Sequence, residues 1–181
     1  MLVFRLARFL ILAALGIAHT ASAVTFDGAG AHVLTSANLG FTTTIAGGAG
    51  SSCATSDFAV TVAAGGATAS VTNATFTGCV GTLALAGATG HVTGTGFPWP
   101  ITRTAAGTFV IDGVHVVATF TTPPPDVTVT LEGTLEGSFN NTTNTATFAN
   151  SPGLTATSSL GNSAALVSGA LTDNLHTLRI T

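Results

Sequence analysis

The 181-residue chain has no lysine and no tyrosine, a single tryptophan and two cysteines, and only 6% of its residues are charged. Each shortage excludes something. The basic side chains are Arg5, Arg8, Arg103 and Arg179, and they form no cluster in the body of the chain. Nucleic-acid binding requires clustered cations along a phosphate backbone, and attraction to anionic lipid requires a basic patch. Both partners are therefore excluded. Disorder is excluded for the opposite reason: low charge with 46% hydrophobic residues supplies enough apolar surface to build a core. With no tyrosine and one tryptophan, an aromatic platform that stacks sugars is not expected.

Long apolar runs are also scarce, with one exception at the N-terminus. Arg5 and Arg8 precede an apolar run over residues 9–18, and Ala21-Ser22-Ala23 follows with small side chains. This is the three-part pattern of a secretory signal, and the run is too short to span a bilayer. Residues 1–23 are expected to be removed, with Val24 as the mature start. No cysteine stands at that junction to carry a lipid, and no second apolar run offers an integral membrane anchor. The expected location is extracellular, released or held at the cell surface. Residues 24–181 are the size of one domain. In them Arg103 and Arg179 face Asp27, Asp57, Asp112, Asp126, Glu132, Glu136 and Asp173, a formal charge of 2 − 7 = −5.

What the chain has instead is threonine, glycine and short alternating segments. Threonine makes up about a fifth of residues 24–181, and a β-branched hydroxyl residue suits the exposed face of a sheet. Gly, Asn or Pro clusters recur every 8–12 residues or so, a rhythm of all-β domains. No stretch of helical length sustains a 3.6-residue apolar period. The expected fold is an antiparallel β-sandwich or a closed or partly open β-barrel. Alternation is clear over residues 57–62, 127–139 and 164–172. In TFVIDGVHVVATF the apolar phase flips across Asp112-Gly113. A tight Asp-Gly hairpin would explain the flip, but it would leave a very short first strand. One long strand with a bulge at Gly113 fits better, with a hairpin turn at 104–107 before it. Loops are expected at 47–52, at the prolines 123–125 with Asp126, and at 140–144.

The carboxylates of VTVTLEGTLEGSF, Glu132 and Glu136, invite a catalytic reading. Four strand residues separate them by about 13 Å, whereas glycosidase acid pairs sit about 5 Å or about 6.5–9.5 Å apart. A solvated strand face is the expectation, and its negative charge discourages sheets from associating. Cys53 and Cys79 suggest one disulfide in an exported chain. A catalytic thiol or metal pair would need local partners that are missing. The histidines His32, His91, His115 and His176 show no ligand spacing. Glycine-rich phosphate loops, calcium loops and nucleophile elbows are missing as well. No catalytic residue, metal or cofactor is therefore expected. Trp99, in Gly96-Phe-Pro-Trp-Pro100, could touch a ligand, or plug the core with its indole N–H on a backbone carbonyl. Asn73, Asn140 and Asn141 match the glycosylation acceptor pattern, at a frequency this composition produces by chance.

The order of these features resembles a group of small, mostly uncharacterised secreted proteins from high-GC Gram-positive bacteria. The features are Cys53, then FTGCVG with Cys79, FPWPIT, a glycine-hinged strand and GSFNNTTNTATFANSPGL. The resemblance implies an exported β-protein and brings no activity or site residues with it. Two functional expectations remain in front. One is a non-enzymatic extracellular β-module working through its surface, as a coat, matrix or adhesion component, by self-association or contact with cell wall or apolar surfaces. The other is a carrier of a small apolar ligand, held in a cavity left by many Ala and Gly side chains. A secreted hydrolase with Asp and His assembled by the fold is the weakest of three.

Overall fold

The computed structural model describes residues 25–45, 48–121, 126–148 and 151–181. The expected signal segment at 1–23 and the prolines 123–125 lie outside the described residues. Every regular element among them is a strand, apart from a single 3₁₀ position at Ile45. In chain order these are β1 (Phe26–Asp27), β2 (Gly30–Ser36), β3 (Leu39–Thr43), β4 (Ala49–Val62), β5 (Ala69–Leu83), β6 (Thr89–Gly94) and β7 (Trp99–Ala105). There follow β8 (Thr108–Thr121), β9 (Val127–Asn140), β10 (Thr145–Phe148), β11 (Leu154–Ser158), β12 (Gly161–Asp173) and β13 (Arg179–Ile180).

Five strands of 13 to 15 residues, β4, β5, β8, β9 and β12, run the length of the molecule, about 45 Å at the usual rise. Between them, short strands fill one position in tandem. β6 and β7 lie end to end between β5 and β8. β10 and β11 do so between β9 and β12, and β2 and β3 between β12 and β4. With β4–β5 and β8–β9 also paired, the antiparallel wall closes on itself through eight positions. The all-β expectation holds, and the arrangement is barrel-like. Eight strands enclose an interior that side chains can just fill.

Alternation decides which side chains fill it. Phe58, Val60 and Val62 of β4, Val129, Leu131, Leu135 and Phe139 of β9, and Ala165, Val167 and Leu171 of β12 all join one buried core. The intervening threonines face water. The phase flip in β8 is a bulge: Ile111 pairs with Leu135 and Val114 with Gly133, so β8 carries one extra residue there. Gly113 supplies the left-handed conformation that this needs, at φ +67. The turn before it is tighter than expected, because β7 continues to Ala105 and only Ala106-Gly107 reverse the chain.

The loop expected at 47–52 is instead largely strand, since β4 begins at Ala49. Ala49, Gly50, Ser51 and Ser52 show no hydrophobic alternation because their side chains are small. Neighbouring strands approach closely there; a Cβ on Gly50 would lie 2.7 Å from the Phe41 carbonyl oxygen.

The two ends of the barrel differ. The terminal end carries β1 and β13, paired with each other through Phe26 and Ile180 and extended by bonds between Thr25 and Thr181. Phe26, Leu178 and Ile180 are buried beneath this cap. The far end carries the β3–β4 and β5–β6 connections and the β11–β12 turn.

Candidate functional site

Trp99 opens β7 and is fully buried, with its indole Nε1–H donating to the Thr95 carbonyl at 2.8 Å. Phe58 and Phe97 pack against its ring. It therefore plugs the core and fixes the 95–98 segment, where the wall passes from β6 to β7. Cys53 and Cys79 face each other on β4 and β5 and form a disulfide, both side chains buried.

That fixed segment assembles a side-chain chain that spacing alone did not reveal. Thr95 Oγ1 lies 2.6 Å from His115 Nδ1, and His115 Nε2 lies 3.0 Å from Glu132 Oε1. With the ring proton on Nε2, His115 donates to Glu132 and accepts from Thr95. Hydroxyl, imidazole and carboxylate stand in the order of a nucleophilic relay. The setting is wrong for one: His115 and Glu132 are 36% and 59% exposed on the outer wall. Such relays draw their power from preorganised donors in a water-excluded site. His115 and Glu132 are also direct register partners on β8 and β9, so the contact is a cross-strand surface pair. Glu136 lies farther along the same exposed face, opposite Val110, and joins no acid pair.

A second cluster is buried under the terminal cap. Asp173, fully buried at the end of β12, accepts from the backbone N–H groups of Leu175 at 3.2 Å and of Thr177 and Leu178 at 2.9 Å each. His32 Nδ1 is 3.6 Å from Asp173 Oδ2, and His32 Nε2 bonds to the Gly28 carbonyl. Burial pushes the Asp173 carboxyl upward, but the N–H groups of Leu178, Thr177 and Leu175, with His32, outweigh it and hold it below its ordinary value. The cluster ties the β1–β2 turn to the β12–β13 turn and is structural.

Two small cavities lie among the described core residues. One apolar cavity of about 50 Å³ is bordered by Phe41, Phe58, Trp99, Leu131 and Val167, and another of about 30 Å³ by Leu34, Val60, Phe109 and Phe148. Ligand pockets run to about 300–1,000 Å³. A shallow outer depression of about 480 Å³ is lined by Thr104, Thr108, Phe109, Val110, Glu136 and Thr147, a mixture of hydroxyl and apolar side chains with one carboxylate. Among the described residues, no three His, Cys, Asp or Glu side chains gather where they could hold a metal ion.

Residues 1–175 match the family described as alkane oxidation protein activator PraA/PraB-like. The chain belongs to that family. No curated protein and no solved structure matches this PraA/PraB-like chain, so the family's description is what the comparisons supply. Among the described residues no helix is long and apolar enough to cross a membrane. The disulfide is of a kind that persists in oxidising, extracytoplasmic surroundings.

Proposed function

We propose that this protein is a secreted, non-enzymatic β-module that works through its outer wall, as a coat or adhesion component at the boundary between cells and an apolar phase. The observation that carries this reading is the filled interior. With cavities of about 50 and 30 Å³, the outer wall is the surface the fold offers to a partner. The carrier reading would need a larger interior space than these two. The family's description supports a link to alkane oxidation. An activator without an interior site would assist that process where cells meet hydrocarbon, by adsorbing to it or to the cell envelope. The weakly charged, threonine-rich wall suits such contact, because little ionic hydration has to be stripped from it.

The test uses mature protein purified from culture medium and kept unreduced. Native mass spectrometry is expected to give the bare polypeptide mass, and shaking with hexadecane is expected to deplete the protein from the aqueous phase. Retained apolar mass released on denaturation would replace this reading with ligand carriage. Protein that stays in water beside hexadecane and beside cells would overturn it.

A further inference from the structure

The charged side chains are not distributed evenly along the barrel. Asp27, Arg103, Asp112, Glu136, Asp173 and Arg179 lie toward the terminal end, and Asp57 and Glu132 lie near the middle. Toward the far end the described residues carry one charged side chain, Asp126, just before β9. The far-end quarter of wall built from β5, β4, β3 and β12 has none.

That quarter has a distinctive make-up. One outward row across it reads Leu166, Thr42, Gly50, Thr82, and the next reads Ser168, Gly40, Ser52, Val80. Leu166 and Val80 stand on opposite sides, 47% and 50% exposed. Beyond them at the rim stand Leu160, in the β11–β12 turn, and Leu83, at the end of β5, 51% and 59% exposed. The floor between them is glycine and hydroxyl. Thr82 Oγ1 lies 2.5 Å from where a Cβ of Gly50 would be, so the row stays flat. Val80 and Leu166 on the wall, with Leu160 and Leu83 at its rim, thus edge an uncharged face; Leu83 pairs with inward-facing Ala49, so it stands at the mouth of the barrel.

We propose that this far-end face, with Val80, Leu83, Leu160 and Leu166 as its anchors, is where the protein adsorbs to liquid hydrocarbon, standing with its charged terminal end in water. This rests on the surface-acting reading above and names the face and the phase. A liquid alkane has no charge to match and no shape to fit, so contact with it rewards exposed aliphatic area and penalises every charge drawn in. The face meets both conditions. A specific protein partner would be expected to meet complementary charges or aromatic anchors, and this face has neither. Charge gathered at the opposite end fixes the orientation.

Two double variants test it, Leu160→Glu with Leu166→Glu at the far end, and Val33→Glu with Leu175→Glu at the terminal end, where the side chains are 46% and 62% exposed. All four positions are on the surface, so both variants should keep the fold, checked by circular dichroism. Partition between buffer and hexadecane droplets is expected to fall at least about tenfold for the far-end pair and to stay near wild type for the terminal pair. Hydrogen exchange on wild-type protein at the droplet provides a measurement free of substitutions. Amides in 80–88 and 159–168 should slow, and those in 174–180 should not. Wild-type adsorption that both pairs leave unchanged, or reduce equally, would overturn the face while the surface reading stands. Wild-type protein that fails to adsorb to hexadecane would overturn the proposal, and the surface reading with it if cells also fail to hold the protein. A wild-type dimer that the far-end pair splits without altering partition would assign the face to a second copy instead.

Discussion

Replacing Asp173 by alanine should be among the most damaging single changes away from the hydrophobic core. The carboxylate is fully buried and accepts three backbone N–H groups, from Leu175, Thr177 and Leu178, with His32 beside it. Alanine leaves those donors facing a void. Removing one partner from a buried charged network costs about 3–5 kcal/mol, a large share of a total that is typically about 5–15 kcal/mol. At about 2–4 °C per kcal/mol for a domain of this size, the midpoint should fall by about 6–20 °C. Asp173→Asn keeps one oxygen, which can still serve Thr177 and Leu178, but its NH₂ opposes the Leu175 N–H, so about 1–3 kcal/mol is expected. Urea unfolding followed by the fluorescence of buried Trp99 measures both. The acid side adds an independent check. The folded carboxyl lies below its ordinary 3.8, so its contribution is complete above that value and is lost as pH falls through the folded value. The wild type should lose this increment in strong acid, and Asp173→Asn should lack it. A loss below about 1 kcal/mol for the alanine variant, or identical acid profiles for wild type and Asp173→Asn, would refute the reasoning.

Replacing Cys53 and Cys79 together by alanine opens a link between residues 26 apart and should cost about 3.5 kcal/mol in the chain-entropy picture; urea midpoints with and without reductant give the value. Gly113→Ala meets no atom within 4 Å, so only its φ of +67 should tell, at about 1–2 kcal/mol, read from thermal unfolding. Glu132→Gln removes the charge of an exposed cross-strand pair and should change stability by less than about 1 kcal/mol. If the Thr95–His115–Glu132 chain were instead a hydrolytic relay, the wild type would turn over p-nitrophenyl esters and Glu132→Gln would not.

Local chemistry was legible in the chain and long-range closure was not. The bulge at Gly113 followed from a change of apolar phase, and alternation identified the inward faces of β4, β9 and β12, because both depend only on neighbours in sequence. The start of β4 was missed for a physical reason: Ala49, Gly50 and Ser51 are buried by the close approach of neighbouring strands, not by large side chains of their own, so no periodicity marks them. Ring closure pairs Leu166 with Thr42 and Asp173 with Leu34, contacts more than 120 residues apart that no spacing encodes. His32 reaches Asp173 only through that closure, and the His115–Glu132 pair depends on the register of β8 against β9, which the bulge at Gly113 sets. Trp99 lies between these cases. Its surroundings of Gly and Pro suggested a plug, but the Thr95 carbonyl as its acceptor depended on where β6 stops.

Closure of the wall has a consequence for how this protein survives at high concentration. A strand at an open margin presents unpaired N–H and C=O groups that can template polymerisation, and most sheet proteins blunt such margins with lysine or other charges. This chain has no lysine and few charges of any kind, yet it is rich in the valine, threonine and phenylalanine that favour cross-β stacking. A ring of eight positions leaves each long strand with a neighbour on both sides, so topology does the protective work that charge does elsewhere. The exceptions are the places where one short strand gives way to the next in the same position, near residues 37–38, 95–98 and 151–153. The middle one is held by Trp99 through its bond to Thr95. Loosening that plug would expose backbone from β5 and β8 at once, and fibre formation rather than simple unfolding is the failure this architecture has to avoid.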